Sequence, residues 1–283
     1  MSNLLSPSRR LPSTGARRAS LAATVIIGAF LAGCAQAPIG AEVRAEASQN
    51  NDPAEPTNRA IFRANQVVDH HVLQPVAQAY QDYVPGQVRH RLHDFVGNLE
   101  EPRTAVNDVL QGNLRRAGET TLRFAVNSTV GVGGLFDVAD GLGVPKHQAD
   151  FGQTFGVWGA GPGPFVELPL FGPSNVRDSV GTALSFVANP FGSPFGGPAA
   201  LADIGYAGTT IGVVDGRANL LGVTKDLEKN SLDYYATLRS VYAQRRAALV
   251  AEGKDPNLAK VGPDDFHPAP AIPAPVRPEP VSP

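Results

Sequence analysis

The side chains best suited to chemistry in this sequence are two small groups of histidines and acids. His90 and His93 are three residues apart and Asp94 follows, a spacing that could hold zinc on a helix. No further ligand accompanies them, so exposed histidines on a helix face are the favoured interpretation. Asp137 and Asp140 precede a glycine, but the other ligands of a calcium loop are missing. Because no nucleophile elbow or nucleotide-binding glycine loop occurs either, the sequence predicts no enzyme, no metal and no cofactor.

Cys34 is the only cysteine, and its surroundings indicate lipid attachment. Four arginines precede an uncharged apolar stretch, residues 21–31, which ends in Leu-Ala-Gly-Cys. This order resembles the bacterial lipobox, and the stretch is shorter than the roughly 20 residues of a transmembrane helix. An ordinary cleaved signal with an incidental cysteine is the alternative. Since Ala35 and not aspartate follows Cys34, we expect a lipid-anchored protein of the cell outer membrane.

The composition adds limits on the partners of the chain. Removal of the predicted signal peptide, residues 1–33, would change the formal net charge from −2 to −6, because that segment carries four arginines and no acid. A nucleic-acid partner is not expected, since such a partner requires a basic face. Residues 34–51 are predicted to form a flexible tether, and residues 254–283 a proline-rich disordered tail.

Residues 52–253 are predicted to form one helical domain. Apolar periodicity, helix-capping residues, prolines and glycines predict helices over residues 57–68, 75–84, 88–99, 102–111, 114–125, 174–188, 199–214 and 231–253. In this interpretation Thr57, Ser174 and Ser231 begin helices, Pro75 and Pro102 open helices, and a strand covers residues 165–168. Residues 151–166 and 179–202 contain no charge but are interrupted by glycine and proline. They are predicted to be interfacial or re-entrant segments, with a glycine-rich loop of a water-soluble protein as the alternative.

An ordered series of motifs resembles the VacJ/MlaA family of outer-membrane lipoproteins. The series is dense over residues 52–184 and includes Asn58-Arg59, Asn98-Leu99-Glu100-Glu101-Pro102, Leu110-Gln111-Gly112, Asn127-Ser128-Thr129, Gly131-Val132-Gly133-Gly134-Leu135-Phe136-Asp137, Asp150-Phe151-Gly152-Gln153-Thr154, Leu168-Pro169-Leu170-Phe171-Gly172 and Arg177-Asp178. The resemblance implies an all-α fold, a compact ring-like assembly of amphipathic and re-entrant helices lying in the outer membrane, with little or no sheet. It also implies removal of misplaced phospholipids from the outer leaflet through an amphipathic channel. The implied partners are phospholipid, a trimeric porin and a periplasmic lipid-carrier protein.

Within that resemblance, neutral and basic residues are candidates for a lipid path. Glycines can leave backbone N–H groups available near a phosphate, and arginine can attract one. The candidates are Arg123, Asn127, Ser128, Thr129, Gly131, Gly133, Gly134, Asp137, Arg177 and Asp178. A tight helix connection for the glycines, a helix cap for Asp137 and a structural ion pair for Arg177-Asp178 remain alternatives. For the whole protein, the alternatives to lipid transport are a structural envelope tether and a lipid hydrolase.

Overall fold

The computed structural model describes residues 51–191 and 199–255, which form helices and one short hairpin. The elements are α1 (Glu55–Val68), a π-helical turn (Asp69–Leu73), α2 (Gln74–Tyr83), α3 (Gly86–Leu110), α4 (Leu114–Thr129), α5 (Val138–Gly141), α6 (Phe151–Val157), β1 (Phe165–Leu168), β2 (Gly172–Asn175), α7 (Val176–Val187), α8 (Ala199–Asn230) and α9 (Tyr234–Lys254). The all-α class with little sheet is therefore confirmed. The predicted signal peptide, Cys34, nearly all of the tether and nearly all of the tail lie outside the described residues.

The first two predicted helices form one continuous run joined by the π-helical turn. Thr57 does not begin α1, because Pro56 in the first turn has no N–H to satisfy and the helix starts before it. Pro75 does not open a separate helix either. The backbone N–H of Gln74 donates to the carbonyl of Asp69 in a wider turn, and such a turn accommodates the proline ring.

Pro102 lies inside α3, so the predicted break before it is wrong. Proline removes one helical hydrogen bond, which favours a helix start there when the sequence is considered locally. In the fold, Asn98, Glu101 and Thr104 around this position are buried along α4, and this packing carries the helix through. The predicted end at Gly112 is confirmed, since this glycine has a φ of 77° that favours glycine.

The packed face of α4 is polar, which reverses the usual arrangement of an amphipathic helix. Thr120 and Arg123 are 0% and 1% exposed, whereas Leu114 is 72% exposed. Ala117 is buried, but Ala125 on the same helix faces outwards. Apolar periodicity thus locates the helix correctly and does not identify its buried side.

The hairpin confirms the predicted strand and gives α7 its start. Phe165 of β1 pairs with Asn175 of β2 in an antiparallel register. The predicted helix start at Ser174 is one residue early, because Ser174 is the β2 partner of Val166. The cap is Asn175, whose side-chain oxygen accepts the backbone N–H of Asp178.

The two C-terminal helices complete the packing. α8 is longer than predicted, and its glycines allow close approach to α3: a Cβ on Gly212 would lie 3.1 Å from Val96 Cγ1. α9 is capped by Asp233 rather than opened by Ser231, since the Asp233 carboxylate accepts the Ala236 N–H. Its Tyr235 joins the aromatic cluster described below. Among the described helices, none combines the length and apolar character needed to cross a membrane.

An aromatic cluster forms one part of the apolar core. The Tyr235 ring lies 5.4 Å from Phe62 of α1 and 5.9 Å from Phe165 of β1, measured between ring centroids, and both contacts are edge-to-face. Leu238 and Tyr242 on the same face of α9 pack against the cluster. This arrangement fixes the hairpin between α1 and α9 and so positions the start of α7.

Candidate functional site

Arg123 is the centre of a buried ionic network between α3, α4 and α5. Its Nε donates to Glu101 at 2.9 Å and its Nη2 to Asp137 at 2.5 Å, while Nη1 donates to the carbonyl of Val144. Burial favours a raised pKa for Asp137, but the hydrogen bonds from Arg123 and Asn127 outweigh it and the pKa is lowered. For Glu101 burial prevails and the pKa is raised despite Arg123. Arg123 therefore holds helices together, and all its nitrogens have protein acceptors.

The Asn127-Ser128-Thr129 segment also makes local bonds. Asn127 Nδ2 donates to Asp137 at 3.0 Å, and its Oδ1 accepts the N–H of Ala139. Ser128 Oγ accepts from Asn98, and the Thr129 hydroxyl donates within α4. Asp137 is the N-cap of α5, which agrees with the helix cap given above as the alternative for this residue.

The three glycines after α4 close the helix end. The N–H groups of Gly131, Gly133 and Gly134 donate to carbonyls of residues 126, 128 and 127, respectively. The expectation that these N–H groups are available for a phosphate is wrong, because the turn uses each of them. Gly134 has a φ of 93°, and a Cβ there would lie 2.6 Å from the side chain of Asn98. A tight connection packed on α3 accounts for the glycine types.

A second ionic cluster joins α6, α7 and α9 around Asp178. This carboxylate accepts from Arg177 Nε at 2.9 Å, from Arg246 Nε at 2.8 Å and from the Tyr242 hydroxyl at 2.6 Å. Arg246 also donates twice to Asp150, at 2.6 and 2.9 Å. Burial favours a raised pKa for Asp178, but these donors lower it. The Arg177-Asp178 ion pair is formed, in agreement with the structural alternative for this pair.

A cavity of about 570 Å³ lies between α3, α7 and α8. Its lining includes Val96, Leu99, Glu100, Arg103, Asp150, Phe171, Ser174, Asp178, Gly181, Thr182, Ser185, Phe186, Gly205, Gly208, Thr209, Gly212, Val213, Tyr242 and Arg246. Of the ten predicted lipid-path residues, Asp178 is the one among these. The uncharged segment that begins at residue 179 supplies much of the wall, so its unusual composition was the signal for this region.

The cavity has a charged end and an apolar end. Asp178 lies in the first turn of α7 together with its ionic partners, whereas Phe186 lies about 12 Å further along the helix axis. Phe171 packs on Phe186 with ring centroids 5.6 Å apart. A ligand with one polar and one apolar part matches this distribution. Sequence periodicity could not reveal Arg246, which is separated from Asp150 by 96 residues.

The outer surface carries many apolar side chains, so the distribution of polarity is inverted: charged groups are buried and apolar groups are exposed. Large apolar side chains are exposed on most elements, among them Leu114, Leu122, Val130, Trp158 and Leu170. Ionic networks inside and apolar side chains outside, with an amphipathic cavity, are typical of a helical protein that lies against lipid.

Comparison with known proteins identifies the family within this class. The family model described as MlaA lipoprotein matches residues 50–249, and the chain belongs to this family. The intermembrane phospholipid transport system lipoprotein MlaA of Escherichia coli (strain K12) is 34% identical over 246 residues, which cover 83% of this chain and 90% of that protein. An uncharacterized protein of Rickettsia bellii is 37% identical over 205 residues, covering 72% of this chain and 78% of its own length.

A solved structure gives the same result in three dimensions. It is described as the structural basis for maintenance of bacterial outer membrane lipid asymmetry, and it matches with a TM-score of 0.60 at 33% identity. The match covers 70% of this chain and 98% of that chain. The predicted family resemblance is thereby confirmed.

Proposed function

We propose that the protein removes misplaced phospholipids from the outer leaflet of the outer membrane and passes them to a periplasmic carrier through an amphipathic channel. The lipid on Cys34 anchors it on the periplasmic side of that membrane, and a trimeric porin holds it in place. The observation that carries the proposal is the cavity, because its charged and apolar ends correspond to the two parts of a phospholipid.

Physical chemistry explains why such a cavity would serve transport. A charged headgroup loses its hydration when it enters an apolar layer, and an unpaired polar group costs several kcal/mol there. The Asp178 cluster and the hydroxyl groups of Thr182 and Ser185 offer polar surface within the wall. The apolar end beside Phe171 and Phe186 offers a matching surface for acyl chains.

The exposed apolar side chains support the membrane location. Leu114 and Leu122 on α4 and Val130 at its C-cap would otherwise face water at a cost of about 25 cal/mol for each Å² of apolar surface. The ten candidate residues of the lipid path remain a prediction. Their hydrogen bonds favour a supporting role for Arg123, Asn127 and Asp137 beside that path.

The test is lipid extraction and mass spectrometry of the protein purified in mild detergent, with a Cys34→Ala form beside it. The expected result is a diacyl phospholipid that co-purifies with both forms, because the cavity and not the anchor retains it. A protein that carries no phospholipid but retains a stable protein partner would contradict transport and favour a structural tether.

A further inference from the structure

One arginine of the cavity wall differs from the other charged residues there. Val96 and Leu99, and then Glu100 and Arg103, are spaced three residues apart, and all four line the cavity from one side of α3. The Arg103 Nε is buried and has no hydrogen-bond partner. The nearest acid is Glu100, whose Oε1 lies 3.5 Å from Arg103 Nη2, longer than a good charged hydrogen bond.

The other cation of the wall is satisfied by protein acceptors. Arg246 makes hydrogen bonds to both Asp150 and Asp178. Arg177, beside the cavity, donates to Asp178. Arg103 therefore keeps donor capacity for an anion, and a buried donor without an acceptor is costly until a ligand supplies one.

Contacts of α3 with α6 connect Arg103 to the Asp178 cluster. One turn further along α3, Asn107 accepts the Thr154 hydroxyl of α6 at 2.7 Å. The cap of α6 is Asp150, which belongs to the Asp178 cluster. In the opposite direction along α3, Leu99 and Val96 face the glycines of α8. The α3 wall thus changes from charged to apolar within about 10 Å.

We propose that Arg103 binds the phosphate of a phospholipid headgroup and Glu100 binds its amine, so that the cavity selects lipids with a zwitterionic, amine-bearing headgroup. This inference rests on the proposed function. The planar guanidinium matches two phosphate oxygens, and the carboxylate matches an ammonium group. The two charged groups lie side by side, with Glu100 Oε1 3.5 Å from Arg103 Nη2, so both can reach one headgroup whose phosphate and amine are joined by a two-carbon link.

The experiment is a lipid competition on the purified full chain. The protein in detergent is mixed with equal amounts of phosphatidylethanolamine and phosphatidylglycerol, and the bound lipid is quantified by native mass spectrometry. The variants are Arg103→Gln, Arg103→Lys and Glu100→Gln. The control is Arg115→Gln on α4, whose side chain is 87% exposed and pairs with Glu119 away from the cavity.

The expected results differ for each variant. The unaltered protein prefers phosphatidylethanolamine. Arg103→Gln binds both lipids about tenfold more weakly, in line with the loss of a charged hydrogen bond, and Arg103→Lys recovers part of that loss. Glu100→Gln loses the preference while it still binds phosphatidylglycerol, and Arg115→Gln behaves as the unaltered protein.

Other outcomes would overturn the assignment in distinguishable ways. Unchanged binding by Arg103→Gln would remove the phosphate site although the proposed function stands. An unaltered protein without preference, unaffected by Glu100→Gln, would remove the amine site. Displacement of lipid by inorganic phosphate at equal concentration would reassign Arg103 to free phosphate. A protein that binds neither lipid would refute the proposed function itself.

Discussion

Replacement of Glu167 by glutamine should make the protein more stable in alkaline solution. Glu167 is 1% exposed in β1, its Oε1 accepts from Asn65 at 3.0 Å, and its Oε2 has no partner. Burial, aided by the nearby Asp52 carboxylate, raises its pKa from 4.5 to about 7. The Asp52 carboxylate itself accepts hydrogen bonds from Arg239 and from the Tyr235 hydroxyl.

The sign and size of the effect follow from proton linkage. The folded state holds the Glu167 proton more tightly than the unfolded state does. The contribution of this group to the free energy of unfolding is therefore fully present below pH 4.5 and is lost as the pH rises through about 7. The interval between those two pKa values corresponds to about 3 kcal/mol in the free energy of unfolding. Glu167→Gln cannot ionise, so its free energy of unfolding should exceed that of the unaltered protein by up to about 3 kcal/mol at alkaline pH.

Urea unfolding followed by circular dichroism in detergent, at a series of pH values, would measure this difference. His93, whose pKa is raised chiefly by its hydrogen bond to Asp215, loses stabilisation in the same direction, so the comparison must be made between variants. Glu228→Gln, on an exposed side chain, controls for the removal of one acid. A Glu167→Gln protein with the same pH dependence as the unaltered protein would refute the reasoning.

Three further perturbations test the networks and the cavity. Arg123→Gln leaves two carboxylates without their buried cation and should lower the free energy of unfolding by about 3–5 kcal/mol in urea titrations; a loss below 1 kcal/mol would contradict a structural role. Gly134→Ala should destabilise more than Gly133→Ala, because Cβ meets Asn98 at the first position and open space at the second; equal melting temperatures would argue against that contact. Ser185→Trp places an indole in the cavity and should reduce co-purified phospholipid with little change in melting temperature; full lipid retention would locate the lipid elsewhere.

Local signals in the sequence predicted elements better than boundaries. The strand over residues 165–168 and the helix end at Gly112 were predictable, because each depends on residues within a few positions. Pro75 and Pro102 were misleading, since their interruption of a helix was overcome by a wider turn in one case and by packing on α4 in the other. A prediction from the residues next to a proline in sequence cannot take such tertiary packing into account.

The candidate site was less predictable than the family. Motif order identified the family, but Arg123 and Asp137 proved to be bonded to each other, and the glycine N–H groups to the backbone of α4. The cavity depends on Arg103, Asp150 and Arg246, which three separate helices or their caps bring together. Such convergence follows from tertiary contacts that one sequence does not reveal.

The inverted distribution of polarity also determines how the protein responds to temperature. Unfolding exposes apolar surface in a water-soluble domain and thereby raises the heat capacity, whereas exposure of polar surface lowers it. Here side chains such as Arg123, Gln153 and Glu167 are among the largest that are fully buried, while leucines and valines already lie outside. We therefore expect a heat-capacity change of unfolding that is small for a chain of this length. We expect the curve of stability against temperature to be correspondingly flat.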